Sequence, residues 1–445
     1  MNLTACCSTS WLCRALCIDG VRMSPPKHMM RMSVLALGLV GVLVATPLWA
    51  EPDEDALGKS LGYPLGAHPG NAFEMSRRVG SWSALDKVPG VLTRSVARAA
   101  VPTALPKAVT PTAIQYSFRN QRYTLDDYLE RRRITSLLIL KNGEIVAERY
   151  RYNRKEDARF LSFSMAKSVT SLLVGVALER GAIASLDDPA EKYAKDLAGS
   201  PYGATTVRHL LRMSSGLVFT ERYDGQDDIA RLSRASATGI PSPVSVLRSI
   251  TERHAPAGDK FVYASAESDV LGRVLTGATG RTMAELTTEW LWQPMGAEHD
   301  AFWRRGADGQ AQAYGGFNAS LRDWGRLGLL MANDGKVGDK TVVPQDYLMA
   351  ATDPSRQPAA FAPRKATPFF GYGYQFWLFP LKTRSFAMQG IHGQAVFVQP
   401  ASGIVMVQTA VYAHPAGAPE AESYAERTAL WLGVLDSLGG RTDRD

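Results

Sequence analysis

The sequence predicts an α+β fold: an antiparallel sheet flanked by helices, with a mostly helical insertion. Three observations carry this. Strand-like runs fall at both ends of the region from about residue 121 to 440, an apolar-striped helix follows the first pair, and the stretch from about 187 to 310 reads as short helical patterns broken by Gly, Pro and Ser. Strands from both ends, with helices between them, assemble one sheet from distant parts of the chain.

Taken in order, Thr124-Leu125-Asp126-Asp127-Tyr128-Leu129 looks like a capped short helix. Ser136 to Leu140 and Glu144 to Glu148 then flank Lys141-Asn142-Gly143, and an Asn-Gly between two such runs marks a tight hairpin. A helix is expected from Ser164, with Met165, Val169, Leu172, Leu173 and Val176 on one stripe and Gly181 as its stop. Late strands are expected at 373–378, 385–388, 395–398 and 404–407, followed by a closing helix from about Glu420 to Leu438.

The first 120 residues differ. Lys27 and Arg31, an apolar run from Val34 to Ala45, and Thr46-Pro47-Leu48-Trp49-Ala50 before an acidic stretch read as a secretory signal peptide within residues 1–50. The run is shorter than the roughly 20 apolar residues of a membrane span, so no stable membrane anchor is expected after cleavage. A periplasmic or secreted location follows as an expectation. Residues 51–120, rich in Gly, Pro and Ala without a sustained period, read as an extended N-terminal arm or a wrapping segment.

Composition excludes several chemistries. All four cysteines lie in the first 17 residues, so disulfides and thiol catalysis are not expected in the body. A net charge of +7 on 445 residues does not suggest nucleic-acid binding. No His-Glu-x-x-His is present and no cysteine follows residue 17, so neither a metal nor another cofactor is expected.

Ser164-Met165-Ala166-Lys167 places a hydroxyl and an amine on one helix face. A serine is a poor nucleophile until a base takes its proton, and a lysine whose burial keeps it uncharged can do so. Spacing alone is weak evidence, because Ser24-Pro25-Pro26-Lys27 shares it where two prolines forbid a helix. Position at the head of an amphipathic helix after a hairpin gives the pattern its weight. Phe261-Val262-Tyr263-Ala264-Ser265 supplies a tyrosine that a nearby lysine could turn into a proton carrier; taken alone it reads as a half-buried aromatic. Gly390-Ile391-His392-Gly393-Gln394 is a glycine-rich strand edge whose backbone could approach a substrate closely.

Together these elements resemble the serine hydrolases of the class C β-lactamase superfamily, in particular the 6-aminohexanoate-dimer hydrolases and related carboxylesterases. The resemblance extends to Ile139 through Glu148, Val207 through Leu217, Gly316 through Trp324 and Tyr372 through Trp377, and covers roughly residues 120 to 438. It implies a β-lactamase/transpeptidase-like fold over 121–440, with Ser164 as the acylated nucleophile, Lys167 as its base and Tyr263 as the proton shuttle. The backbone N–H groups of Ser164 and Ile391 would form the oxyanion hole. Ser265 would contact substrate and the lysine, Tyr223 would lie over the substrate amide, and His392 would stand near the substrate. Penicillin-recognising members carry Lys-Thr-Gly where this chain has Met388-Gln389-Gly390, so the cation that holds an anionic β-lactam is missing.

The implied activity is hydrolysis of a small-molecule carboxylic ester or amide through an acyl-enzyme. A β-lactamase or D,D-peptidase acting on cell-wall peptides, and a catalytically silent binding protein on the same scaffold, are the alternatives.

Overall fold

The computed structural model describes residues 52–443. The expected signal peptide lies outside the described residues. Among the described residues, no helix is long and apolar enough to cross a membrane.

A seven-stranded sheet forms the centre. Its strands are β1 (Ile134–Lys141), β2 (Glu144–Tyr150), β3 (Gly371–Tyr372), β4 (Trp377–Leu378), β5 (Phe386–Gly390), β6 (Gln394–Gln399) and β7 (Ile404–Ala410). They lie in the order β3-β4-β5-β6-β7-β1-β2, antiparallel throughout. The expected hairpin joins β1 to β2, with Asn142 at φ 49° and Gly143 at φ 85°, the left-handed pair that a two-residue turn of this twist requires.

Alternation along β1 sends its side chains into two different cores. Leu138 and Leu140 pack with Met165, Val169 and Leu172 of helix α1 (Met165–Glu179), and Gly328 of helix α3 (Leu321–Ala332) leaves only 2.4 Å between its would-be Cβ and Val405 of β7. Leu137 and Ile139 pack with Leu430, Trp431 and Val434 of helix α4 (Ala421–Ser437). The sheet is thus a middle layer between helices on both faces, which explains why β1 is buried along nearly its whole length.

The insertion carries helix α2 (Ser265–Thr279) among several shorter helices. The late strand expected at 373–378 is instead a hairpin of β3 and β4. Gln375, between them, sits at φ 65°, with its side-chain amide donating to the carbonyls of Leu210 and Leu211 and its Oε1 accepting from Ser268. Those long-range anchors override the local strand pattern.

Of the two readings of the N-terminal arm, the segment packs against the domain and is not extended. It contains a helix at Met75–Ser81 and a strand at Thr93–Val96, which pairs with Ala301–Arg304 in a second, four-stranded sheet ending at Phe160–Leu161. Its Leu57, Tyr63, Val79, Trp82 and Leu85 form a third core with Tyr152, Leu161 and Val411. Elements this short leave no period in the sequence to read.

Candidate active site

Ser164 stands at a sharp bend. Strand Phe160–Leu161 ends, Phe163 takes φ 46°, and Ser164 becomes the N-cap of α1, with no side-chain capping bond. A left-handed conformation is unfavourable for a bulky residue and persists only when its surroundings impose it. The surroundings are aromatic: Phe163 meets Trp82 edge-on at 4.9 Å and Phe73 at 6.4 Å, both from the arm.

One turn along α1, Lys167 is 2% exposed. Its Nζ donates to Ser164 Oγ at 3.0 Å and to the Tyr314 carbonyl at 2.7 Å. Burial pulls the Lys167 ammonium down to about 8, against the upward pull of the Glu221 charge. An amine that is partly neutral near neutral pH and touches the serine hydroxyl has the properties of a general base.

Tyr263 precedes α2, where the Val262 N–H donates to the Met213 carbonyl at 2.9 Å. Lys167 Nζ lies 5.1 Å from the centre of its ring. Burial and then the Glu221 charge push the Tyr263 phenol well above its usual value, while a hydrogen bond with Ser164 works in the opposite direction. Tyr263, distant in sequence, is therefore brought together with Ser164 and Lys167.

Beside Ser164 the backbone of a strand end approaches closely. A Cβ on Gly390 would lie 2.3 Å from the Ser162 carbonyl oxygen and 3.2 Å from Phe163 Cβ, so glycine alone lets the end of β5 press against the bend before Ser164. Ile391 follows immediately and is half-buried. Met388 is wholly buried in the core beneath α1 and presents no charge.

His392 belongs to the support of the bend rather than to an open substrate surface. It is 7% exposed, its Nδ1 pairs with the Tyr412 carbonyl at 2.8 Å, and its ring packs on Trp82 at 4.9 Å and on Phe163 at 5.4 Å. Burial and the nearby Arg78 hold the imidazole down to about 3, so it is neutral.

Ser265 and Tyr223 converge on a carboxylate that sequence reasoning missed. Glu221 accepts from the Ser265 N–H at 2.8 Å, from Ser265 Oγ at 2.8 Å and from the Tyr223 hydroxyl at 2.6 Å. The Ser265 hydroxyl is thus directed at Glu221, not at the lysine. Tyr223 itself sits at φ 61°, with its N–H donating to buried Asp227 at 2.6 Å. The signal for Glu221 was its place two residues before Tyr223, but nothing local links it to Ser265.

This fold and this site are those of a β-lactamase-type hydrolase. The beta-lactamase family matches residues 124–430, and the chain belongs to that family. It is 27% identical over 301 residues to the 6-aminohexanoate-dimer hydrolase of Paenarthrobacter ureafaciens, spanning 65% of this chain and 76% of that one. Among solved structures it is similar to a Bacillus anthracis protein assigned as a 6-aminohexanoate-dimer hydrolase, with a TM-score of 0.74 and 21% identity over 84% of this chain and 97% of that one. A family VIII carboxylesterase superposes with a TM-score of 0.52 and 15% identity, covering 69% and 92%. The arm before residue 124 lies outside the family match, yet its Trp82 touches Phe163, the residue preceding Ser164.

Proposed function

We propose that the protein is an exported serine hydrolase that cleaves a carboxylic ester or small amide through an acyl-enzyme on Ser164. The observation that carries this reading is the buried Lys167 amine, 3.0 Å from Ser164 Oγ and drawn down to about 8. Lys167 takes the serine proton as Oγ attacks the acyl carbon. Tyr263 relays a proton to the departing alcohol or amine, and water then releases the acid by the reverse path. The N–H groups of Ser164 and Ile391 stabilise the tetrahedral oxyanion. Because the Tyr223 hydroxyl donates to Glu221, its oxygen retains lone pairs that can accept from an amide N–H.

The basic, apolar and small-residue order of residues 27–50 supports export. Fractionation of cells producing the full chain, with the N-terminus of the mature protein sequenced, tests that part.

Mixing enzyme with a p-nitrophenyl ester should give a burst of p-nitrophenol, with an acyl adduct on Ser164 by mass spectrometry and neither in Ser164→Ala. Turnover unaffected by that substitution would end the proposal. The cell-wall alternative is weakened by Met388, which offers no cation for a β-lactam carboxylate; stable penicillin labelling at Ser164 would revive it. Absence of any labelling by acyl or fluorophosphonate probes would favour the silent binding protein.

A further inference from the structure

An unbroken series of aromatic rings leads away from the catalytic phenol. Trp377 stacks on Tyr263 with ring centres 5.6 Å apart and planes at 23°. Around the indole, edge-on, stand Phe261 at 5.9 Å, Tyr372 at 5.0 Å and Phe370 at 5.8 Å. Phe369 continues the series from Phe370 at 4.8 Å. Exposure rises along it: Tyr372 is 1% exposed, Phe261, Trp377 and Phe370 are half-buried, and Phe369 is 39% exposed.

A folded chain gains by hiding such surface, so aromatic rings left partly open beside a reactive group are candidates for ligand contact. The polar group near the phenol is different in kind, because Glu221, whose charge acts on Tyr263, forms a closed set with Tyr223 and Ser265.

The position relative to Tyr263 decides which part of a substrate the rings can meet. In acylation the Ser164 Oγ–acyl carbon bond forms and the bond from acyl carbon to the leaving oxygen or nitrogen breaks. The proton lost by Ser164 to Lys167 is balanced by one delivered through Tyr263 to that leaving atom, which departs as alcohol or amine. The leaving atom must therefore lie within hydrogen-bond reach of the Tyr263 hydroxyl, and whatever it carries begins beside that ring.

Resting on the Ser164 acyl-enzyme reading, the geometry points to a leaving-group subsite formed by Phe261, Trp377, Phe370 and Phe369, which takes alcohols or amines bearing an aromatic group. The preferred substrates are arylmethyl esters and N-arylmethyl amides of small acids. Stacked or edge-on rings contribute about 1 kcal/mol each beyond simple burial, which favours an aryl over an alkyl leaving group.

Esters of a single acid test this, because methyl, benzyl and 2-naphthylmethyl butyrate all give the same acyl-enzyme. Differences in kcat/KM then report recognition of the leaving group alone, and the alcohols differ little in intrinsic reactivity. The expected order is naphthylmethyl above benzyl above methyl, spanning about 30-fold or more, as two favourable ring contacts predict. Phe370→Ser and Trp377→Ala should each shrink the naphthylmethyl-to-methyl ratio by about 5-fold or more. The wild-type ratio needs no variant, so a variant that fails to fold does not spare the proposal. Hydrolysis of all three esters with a flat ratio, accompanied by acylation of Ser164, overturns the subsite and leaves the serine hydrolase intact. If no ester is cleaved and no acyl probe labels Ser164, both fall together.

Discussion

Trp82 meets Phe163 edge to face at 4.9 Å, so a residue of the N-terminal arm holds the side chain next to Ser164. Phe163 is in the left-handed region at φ 46°, and its ring is enclosed by Trp82, Phe73 and His392. Arg78 fixes the arm in place by donating to the Tyr412 and Ala413 carbonyls at 2.9 and 2.8 Å. Trp82→Ala should cost about 3 kcal/mol of stability, and well below its melting temperature it should lower kcat far more than it changes KM. Trp82→Phe should restore most of the kcat. Urea unfolding and steady-state kinetics check this; equal kcat values in the Ala variant and wild type would show that the arm only packs.

The Lys167 amine sets a pH dependence. With the group drawn down to about 8, kcat/KM should rise with pH on a limb centred near 8, since the neutral amine is the active form. A plateau from pH 6 upward would contradict it.

Glu221 modulates that limb. Its carboxylate raises the Lys167 value, so Glu221→Gln should move the midpoint to lower pH. Loss of its bonds to Tyr223 and Ser265 should raise KM as well. Profiles of the two enzymes on one substrate decide the matter, and an unmoved midpoint is the unfavourable result.

The same burial has a stability consequence whose sign is fixed. Below pH 8 the lysine is protonated in folded and unfolded chains alike; between about 8 and 10.5 only the unfolded chain holds the proton, so the folded state gains as pH rises. The full difference corresponds to about 3 kcal/mol. Denaturant melts of wild type and Lys167→Met from pH 7 to 10 should converge or cross in favour of wild type; parallel curves would refute the assignment.

Gly390→Ala should disable the oxyanion side. Its φ of −128° suits any residue, so the obstacle is space: the added methyl would lie 2.3 Å from the Ser162 carbonyl. A displaced Ile391 N–H should lower kcat by about 100-fold, with acylation by a fluorophosphonate slowed alongside.

The sequence revealed what depends on local pattern. The Asn142-Gly143 hairpin, the helix begun at Ser164, the Ser164–Lys167 spacing and the late strands after 385 each leave a periodic or turn signature, and each is present. Glu221 and Trp82 leave none. Glu221 acquires its place only when the 221–223 loop meets the start of α2, and Trp82 when an irregular arm meets a bend 80 residues further along. Gln375 shows the converse, since a good local strand pattern yields to carbonyls of Leu210 and Leu211.

The order of strands in the central sheet also governs when the protein can work at all. The first hairpin is zipped to β7, close to the end of the chain, and the peptide group after Gly390 belongs to the same late segment. On the proposed mechanism, a polypeptide still emerging from the ribosome cannot yet use Ser164: its helix can form, but its partner strands have yet to be made. Contacts so distant along the chain make assembly slow.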